Sequence, residues 1–458
     1  MARIFDHSIR FPTLSLPTTD IAIVGLGAGD VGDIPLAVWQ WLHSGRRVIF
    51  RTRQHPGLDA LASGQSCDDL YAQHDTLPAV HAAIVERVLA AAEKEPVVYA
   101  VPGHPGVGDA TTAGIVAAAR AKGLTVHVRG GASSIDVAAA ALGLDAAAGC
   151  QIVDGRLVAA RHHPQLDVSL PALIGHVCSR QVASDVKSTL LNTYPAHQPV
   201  TILHAAGAPD QHTQIVALHE LDRRDDFDQR TSLFVPAQRP GGSFNDLQEL
   251  IAHLRAPEGC PWDQEQTLGS LREFLLSECC EVLEAIDDED DEHTIEELGD
   301  VLGIVAMMSQ AAAEEGRFLL TDAIRASVEK LTRRHPHVFG EQEVEDMAAL
   351  YRQWEAIKAQ ERADKGQKPK GALDGIPASL PALEKARALQ SKAEKAGLLE
   401  RAILAEENPA LAALLPPGSD APALGRLLWQ LTALAKARGL QPEAALREYV
   451  VRFRESAG

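Results

Sequence analysis

A carboxylate set on the apolar stripe of a helix is the strongest constraint in this chain. Residues 278–300 hold twelve Asp and Glu and no Lys or Arg. Four of those acids form two Glu-x-x-acid pairs, Glu278 with Glu281 and Glu297 with Asp300. Residues three apart on an α-helix share a face, so each pair can aim two carboxylates at one point. At about 100° per residue, Glu297 projects into the sector of Val301, Ile304, Val305 and Met308, the apolar stripe of its helix. An unpaired carboxylate there costs several kcal/mol or takes up a proton, and a hard cation or a partner removes the conflict. Two helices joined by the acidic loop at 287–292 bring all four carboxylates together, and four oxygen ligands suit Mg²⁺ or Mn²⁺. Glu278, Glu281, Glu297 and Asp300 are therefore the predicted metal ligands and catalytic carboxylates of a site for phosphate chemistry.

At 458 residues the chain is too long for one core, and two or three domains are expected. Hydrophobic residues make up 46% and charged residues 23%, the balance of an ordinary globular protein. A formal net charge of −19 argues against non-specific nucleic-acid binding, which needs basic residues to neutralise phosphates. It also means that an anionic substrate needs metal ions and local cations to approach. The six cysteines (67, 150, 178, 260, 279 and 280) form no CxxC pair and no Cys/His zinc spacing. Adjacent Cys279 and Cys280 predict small buried thiols in a reducing compartment. The first twenty residues lack a basic-then-apolar signal, and no stretch of about 18 apolar residues occurs. No membrane association and a cytoplasmic location are expected.

From residue 21 to about 236 short β-rich runs alternate with Ala-rich helical stretches. Strands are predicted at 21–24, 48–50, 97–101, 125–128, 200–203 and 232–235, and the alternation predicts an α/β domain with largely parallel strands. PAQRPGGS at 236–243 marks a flexible linker, and beyond it the pattern is helical. ERADKGQKPKG at 361–371 reads as another linker or exposed loop. The expected division is an α/β domain over 1–236, a linker over 237–243, a helical domain over 244–378 and a helical tail over 379–458. That tail reads as a degenerate repeat. LGDVLGIVAMMSQAAAEEG, from Leu298, parallels LGRLLWQLTALAKARGLQPEAAL, from Leu424, with Ala423 and Arg426 standing where the first copy has Glu297 and Asp300. Chance similarity of two Leu/Ala-rich helices is the competing explanation.

Three further elements accompany the carboxylates. EGCPWDQEQT carries Trp262 just before the first acidic helix. KLTRRHPHVF places Lys330 and Arg334 four apart on a helix. RQWEAIK places Trp354 near Lys358. Together they read as a site for nucleoside triphosphates, with cations for phosphates and an aromatic for a base. The blander reading of each piece stands beside this one: solvated acids, surface charge and core tryptophans. In order, GCPWD, ECCEVLEAI, ELGDVL, KLTRRHPHVF and W-x-x-I-K resemble the MazG family of nucleoside triphosphate pyrophosphohydrolases over roughly 247–395. That resemblance implies an all-α, usually dimeric domain that hydrolyses NTPs to NMP and pyrophosphate with Mg²⁺. It implies Glu278, Glu281, Glu297 and Asp300 as metal ligands, Lys330 and Arg334 on the triphosphate, and Trp354 on the nucleotide. The family's first helix usually reads Glu-Glu-x-x-Glu, and here Ser277 takes the first place.

IAIVGLGAGD at 21–30 runs a strand into a glycine-rich turn with Gly25, Gly27, Gly29 and Asp30. An acid at the sixth position of G-x-G-x-x-G counts against a dinucleotide pyrophosphate there. Two more strands end in glycine loops, YAVPGHPGVGD with Gly103, His104 and Pro105, and VRGGASS with Gly131 and Ser133. Three such loops predict a crevice at strand C-termini, the usual ligand location in an open α/β sheet. With VGLGAGD, VPGHP, RGGASS, TILHAAG and TSLFVP in sequence, residues 20–236 resemble the tetrapyrrole methylase family, which binds S-adenosylmethionine between two α/β subdomains. The domain order resembles the YabN type of two-domain MazG proteins, including RHH at 161–163. The family's usual Gly-Asp-Pro is Gly103-His104-Pro105 here. A methyltransferase whose helical domain mainly supports dimerisation, an α/β domain retained only as a scaffold, and a nucleotide-sensing module without turnover are the readings that stay open, and His104 also reads as a loop histidine satisfied by backbone.

Overall fold

The computed structural model describes residues 15–457 apart from 30, 56–57, 59–62, 367–370, 399–412 and 417. The chain divides into two compact units, Met1–Arg317 and Phe318–Gly458.

In the first unit, β1 (Ile21–Gly25) is apolar throughout and wholly buried. Alternate residues face opposite ways along a strand, and both of its faces are covered. Ile21 and Ile23 pack with Val97, Tyr99, Ile84 and Val88, while Ala22 and Val24 pack with Val38, Trp41 and Val98. Around β1 lie β2 (Arg47–Phe50), β3 (Gln65–Ser66), β4 (Val97–Val101) and β5 (Val126–Arg129), in the order β3-β2-β4-β1-β5 and all parallel. Helix α1 (Leu36–Leu42) covers one face; α2 (Asp68–Gln73), α3 (Leu77–Ala92) and α4 (Ala110–Ala121) cover the other. Helix α5 (Ser134–Leu142) leads towards the second sheet.

That sheet contains β6 (Gln151–Asp154), β7 (Ala172–Gly175), β8 (Pro199–His204), β9 (His212–Ala217) and β10 (Thr231–Val235), ordered β6-β7-β10-β8-β9. With α6 (Gly155–Ala159) and α7 (Arg180–Leu190), it encloses Ile174, Val186, Leu190, Ile202 and Leu233. Here the expectation of largely parallel strands fails. β10 runs antiparallel to both β7 and β8, and β8 antiparallel to β9. The reason is local: β8 and β9 are joined directly by a short loop, and a connection that short permits only antiparallel pairing.

The 236–243 stretch is hydrogen-bonded to the second sheet's flank. Gln238 N–H donates to Val168 O at 2.8 Å, and Asn245 Nδ2 donates to Asp167 Oδ2 at 2.7 Å. A capping box between Ser243 and Asp246 then starts α8 (Phe244–Arg255). The short α9 (Pro261–Gln264) precedes an antiparallel pair, α10 (Leu271–Asp287) and α11 (Asp291–Glu314). Ile251, Leu271, Ala306 and Met307 form their common core, and Arg255 closes one end on Glu314 at 2.7 Å. Packing shifts the buried stripe of α11 towards its C-terminal half: Ala306, Met307, Ala311 and Ala312 are buried, whereas Val305 of the expected stripe is exposed. The N-terminal half leaves Ile295, Leu298 and Leu302 exposed, as α10 leaves Leu276 and Leu283. Cys279 and Cys280 lie on that same open surface and are exposed, not buried.

The second unit is helical: α12 (Leu320–Arg334), α13 (Pro336–Phe339), α14 (Met347–Asp364), α15 (Ala382–Lys395) and two helices at Ala421–Ala437 and Pro442–Ala457. Leu373, Leu389, Ala393 and Val450 make its small core. The helix that carries Ala423 and Arg426 has no buried residue, and its Trp429 is 77% exposed. No described helix is long and apolar enough to cross a membrane.

Candidate active site

The α10–α11 turn fixes the acids. Glu289 takes a left-handed backbone, φ 55°, an uncommon conformation for a residue other than glycine. Asp290 then caps α11, accepting from His293 N–H at 3.1 Å, and Asp291 and Glu292 occupy the first turn, where negative charge complements the helix dipole. One turn further on, Glu297 is 6% exposed. Glu278 and Glu281 of α10 and Glu297 of α11 each present an oxygen within 4.8 Å of the others. Asp300 lies outside that trio and is exposed, yet its charge is felt. Burial first, then the charges of Glu281, Asp300 and Glu297, push the Glu278 carboxyl above its usual range.

The donor set fits a hard divalent cation. Oε2 of Glu297 is buried and without a hydrogen-bond partner among the described residues, while Oε1 lies 3.0 Å from His293 Nε2. A buried carboxylate oxygen with no donor is unfavourable by itself, and three carboxylates this close repel one another; a cation relieves both. Oxygen-only ligation is the preference of Mg²⁺ and Mn²⁺. Sequence reasoning overlooked His293, although its four-residue spacing from Glu297 was a usable signal. Ser277, noted only as a departure, donates its hydroxyl to Glu281 Oε1 at 2.9 Å.

Trp262 is exposed on α9, edge-on to Phe274 of α10 with ring centroids 5.7 Å apart. The remaining predicted substrate residues belong to the second unit. Lys330 is exposed on α12. Arg334 is held by Glu361, with Nη2 2.6 Å from Oε2, and Arg333 shares the same carboxylate at 2.8 Å. Those two guanidiniums, Arg334 first, pull Glu361 down to about 2. Trp354 lies beneath Lys358 Nζ, 3.9 Å from the ring centroid, and its indole N–H has no partner among the described residues.

In the α/β half the three glycine loops converge. β4 and β5 flank β1, so the loops that follow all three strands leave the sheet side by side. Gly27 and Gly103 pair as an isolated bridge, with Gly103 N–H donating to Gly27 O at 2.7 Å. A Cβ on Gly25 would stand 2.4 Å from Gly103 O and 2.7 Å from Gly131 N, and one on Gly131 would stand 2.5 Å from Gly25 O. Glycine is therefore obligatory at both positions. Pro105 closes against Gly25 in the same way. His104 Nδ1 accepts from Gly106 N–H at 2.9 Å, the backbone satisfaction of a loop histidine. Ser133 caps α5 in a capping box with Asp136. Gly29 N–H donates to Asp33 at 3.0 Å, and the loop after β8 reaches over Gly29 through Gly207. Asp30 lies outside the described residues.

A glycine-looped α/β half with two sheets, followed by a paired-acid helical half, defines a two-part protein joining a methylase-type fold to a nucleotide-pyrophosphohydrolase-type fold. Residues 20–222 match the family described as Tetrapyrrole (Corrin/Porphyrin) Methylases, and residues 266–339 match the MazG nucleotide pyrophosphohydrolase domain. The chain is 37% identical to the uncharacterized protein YabN of Bacillus subtilis over 81% of its own length and 76% of YabN. It is 40% identical to the nucleoside triphosphate pyrophosphohydrolase/pyrophosphatase MazG of Thermotoga maritima, over 46% of this chain and 83% of that one. The nucleoside triphosphate pyrophosphohydrolase of Escherichia coli K12 is 45% identical over 33% of this chain and 57% of that one. The chain belongs to the MazG family, in the YabN arrangement with a tetrapyrrole-methylase domain ahead of the MazG domain.

Proposed function

We propose that this chain hydrolyses nucleoside triphosphates to the monophosphate and pyrophosphate with Mg²⁺ or Mn²⁺, removing surplus or non-standard nucleotides in the cytoplasm as a homodimer. The observation that carries the reading is the buried, donor-less Oε2 of Glu297 beside Glu278 and Glu281. Two relatives named for this activity support it.

Glu278, Glu281 and Glu297 hold the cation, with Asp300 as the fourth carboxylate. The bound ion supplies acidity to an attacking water and neutralises charge on the departing pyrophosphate. A carboxylate not fully engaged with the metal takes the proton of the water that attacks the α-phosphorus. Lys330 and Arg334 engage the triphosphate, Arg334 by exchanging Glu361 for phosphate. Trp354 offers an aromatic face to the nucleotide, and stacking on tryptophan is base-tolerant. The glycine crevice of the α/β half binds S-adenosylmethionine or S-adenosylhomocysteine through Gly25, Gly27, Gly29, Asp30, Gly103, His104, Pro105, Gly131 and Ser133. Its support is the backbone crowding at Gly25 and Gly131, which leaves main chain rather than side chain to face a ligand.

Pyrophosphate release from a panel of NTPs, with and without Mg²⁺, tests the hydrolase. Metal-dependent release of pyrophosphate is the expected result, and release of single orthophosphate defeats it.

A further inference from the structure

The two oxygens of Glu297 are not equivalent. Oε1 faces His293 Nε2 at 3.0 Å, while Oε2 has no partner among the described residues and the side chain is only 8% exposed. At that distance the His293 ring stands where a cation approaching Oε1 would have to compete with it. The backbone of His293 is anchored, because its N–H donates to the Asp290 cap at 3.1 Å. A parallel arrangement occurs on α10, where Ser277 Oγ donates to Glu281 Oε1 at 2.9 Å.

We infer that His293 is a positioning residue for the cation site and Ser277 a weaker one, each occupying one oxygen of a ligand carboxylate so that Glu297 and Glu281 offer a single oxygen apiece. The inference rests on reading the cluster as a divalent-cation site. Its physical content is selectivity. One-oxygen ligation suits small octahedral cations such as Mg²⁺ and Mn²⁺, whereas Ca²⁺ readily accepts a carboxylate through both oxygens. A carboxylate freed of its donor can rotate, bind through both oxygens or take up a proton, and each of these disfavours the smaller ion. The plainer alternative is a helix-surface ion pair at four-residue spacing, which contributes a few tenths of a kcal/mol and has no bearing on metal choice.

Mn²⁺ binding to the full-length chain, followed by the paramagnetic signal of free Mn²⁺ and by Ca²⁺ competition, decides between them. The wild type is expected to have a site that Glu297→Gln abolishes. His293→Ala is expected to weaken Mn²⁺ by about 10- to 100-fold, the usual effect of losing a partner to a metal ligand, while weakening Ca²⁺ less. His293→Gln, which keeps an N–H donor without a charge, is expected to restore most of the Mn²⁺ affinity, and Ser277→Ala to lose less than His293→Ala. Wild-type affinity for both ions in His293→Ala overturns the inference. If that variant does not fold, the matched pair His293→Gln and His293→Leu decides: retention only in Gln supports the inference, and equal affinity overturns it. A wild type with no Mn²⁺ site sensitive to Glu297→Gln defeats the cation-site reading itself, which is a separate failure.

Discussion

The carboxylate cluster and the glycine crevice are built on opposite principles. In the crevice the tightest approaches at Gly25 and Gly131 are main chain to main chain: Gly103 O and Gly131 N press on the place where a Gly25 side chain would be. In the cluster the work falls to side chains, and one of them, Glu297, is buried with an oxygen unsatisfied. The first site is complete as shape and is sensitive to added volume. The second is incomplete as charge and is sensitive to what binds. Substitutions are thus expected to spoil the glycine crevice by crowding and the carboxylate cluster by discharging.

The sharpest way to break that contrast is Glu297→Gln. Pyrophosphate release is expected to fall by more than about 100-fold, the upper end for losing a mere partner of a metal ligand. The metal-free protein should melt no lower, because a buried repelling charge has gone. Unchanged turnover, or a large drop in the melting temperature of the metal-free form, shows the acid to be structural. The mirror experiment is Gly25→Ala, whose Cβ would meet Gly103 O at 2.4 Å. It should destabilise the α/β half by about 1–3 kcal/mol through overpacking and abolish calorimetric binding of S-adenosylhomocysteine. Its pyrophosphate release should stay within about twofold of wild type, since crowding in the crevice leaves the carboxylates alone. Gly103 is a poorer target than its loop position implies: a side chain there meets nothing within 4 Å, and only its φ of 71° opposes substitution.

A smaller effect is expected in the second unit. Glu361 is held well below its usual range by Arg334 and then Arg333, down to about 2 from 4.5. A lowered carboxylate contributes stability that is present above its unfolded value and is lost as the pH falls through the folded one. Acid unfolding of Glu361→Gln should therefore depend less on pH between 4.5 and 2 than that of the wild type, and identical profiles would show the arginines to be idle. The smallest effect is at the junction. Asn245→Ala removes an exposed hydrogen bond to Asp167 and should lower stability by less than about 1 kcal/mol, read from denaturant midpoints. A larger loss would show that the junction transmits stability between the α/β half and α8.

What was legible in the sequence follows the same division. Buried two-faced strands such as β1 and β4 announce themselves as unbroken apolar runs. The strands at Gln65–Ser66 and His212–Ala217 did not: the first is two residues long, and the second is an edge strand with Ile215 exposed among polar neighbours. Antiparallel pairing in the second sheet was hidden because strand direction depends on which neighbours pair, not on local pattern. In the helical half, the spacing points to four acids on two joined helices; Glu278, Glu281 and Glu297 lie within 4.8 Å of one another there, and Asp300 lies outside that trio. The burial of Cys279, Cys280 and Val305 was misjudged, because helical periodicity identifies an apolar side without saying whether this chain itself covers it. His293 was missed for a simpler reason: it sits in a run of acids and its four-residue spacing from Glu297 drew no attention.

The edge-on contact of Trp262 with Phe274 makes the chain its own optical probe. Phe274 lies in the first turn of α10, one turn before Glu278 and under two before Glu281, so a cation drawing those acids together perturbs an indole in partly aqueous surroundings. Trp41, at 1% exposure, emits from a dry core in the α/β half and supplies a constant blue background. With Trp39, Trp354 and Trp429 replaced by Phe, fluorescence collected at the red edge follows the acid helices, and the blue edge follows unfolding of the sheet, without any attached dye.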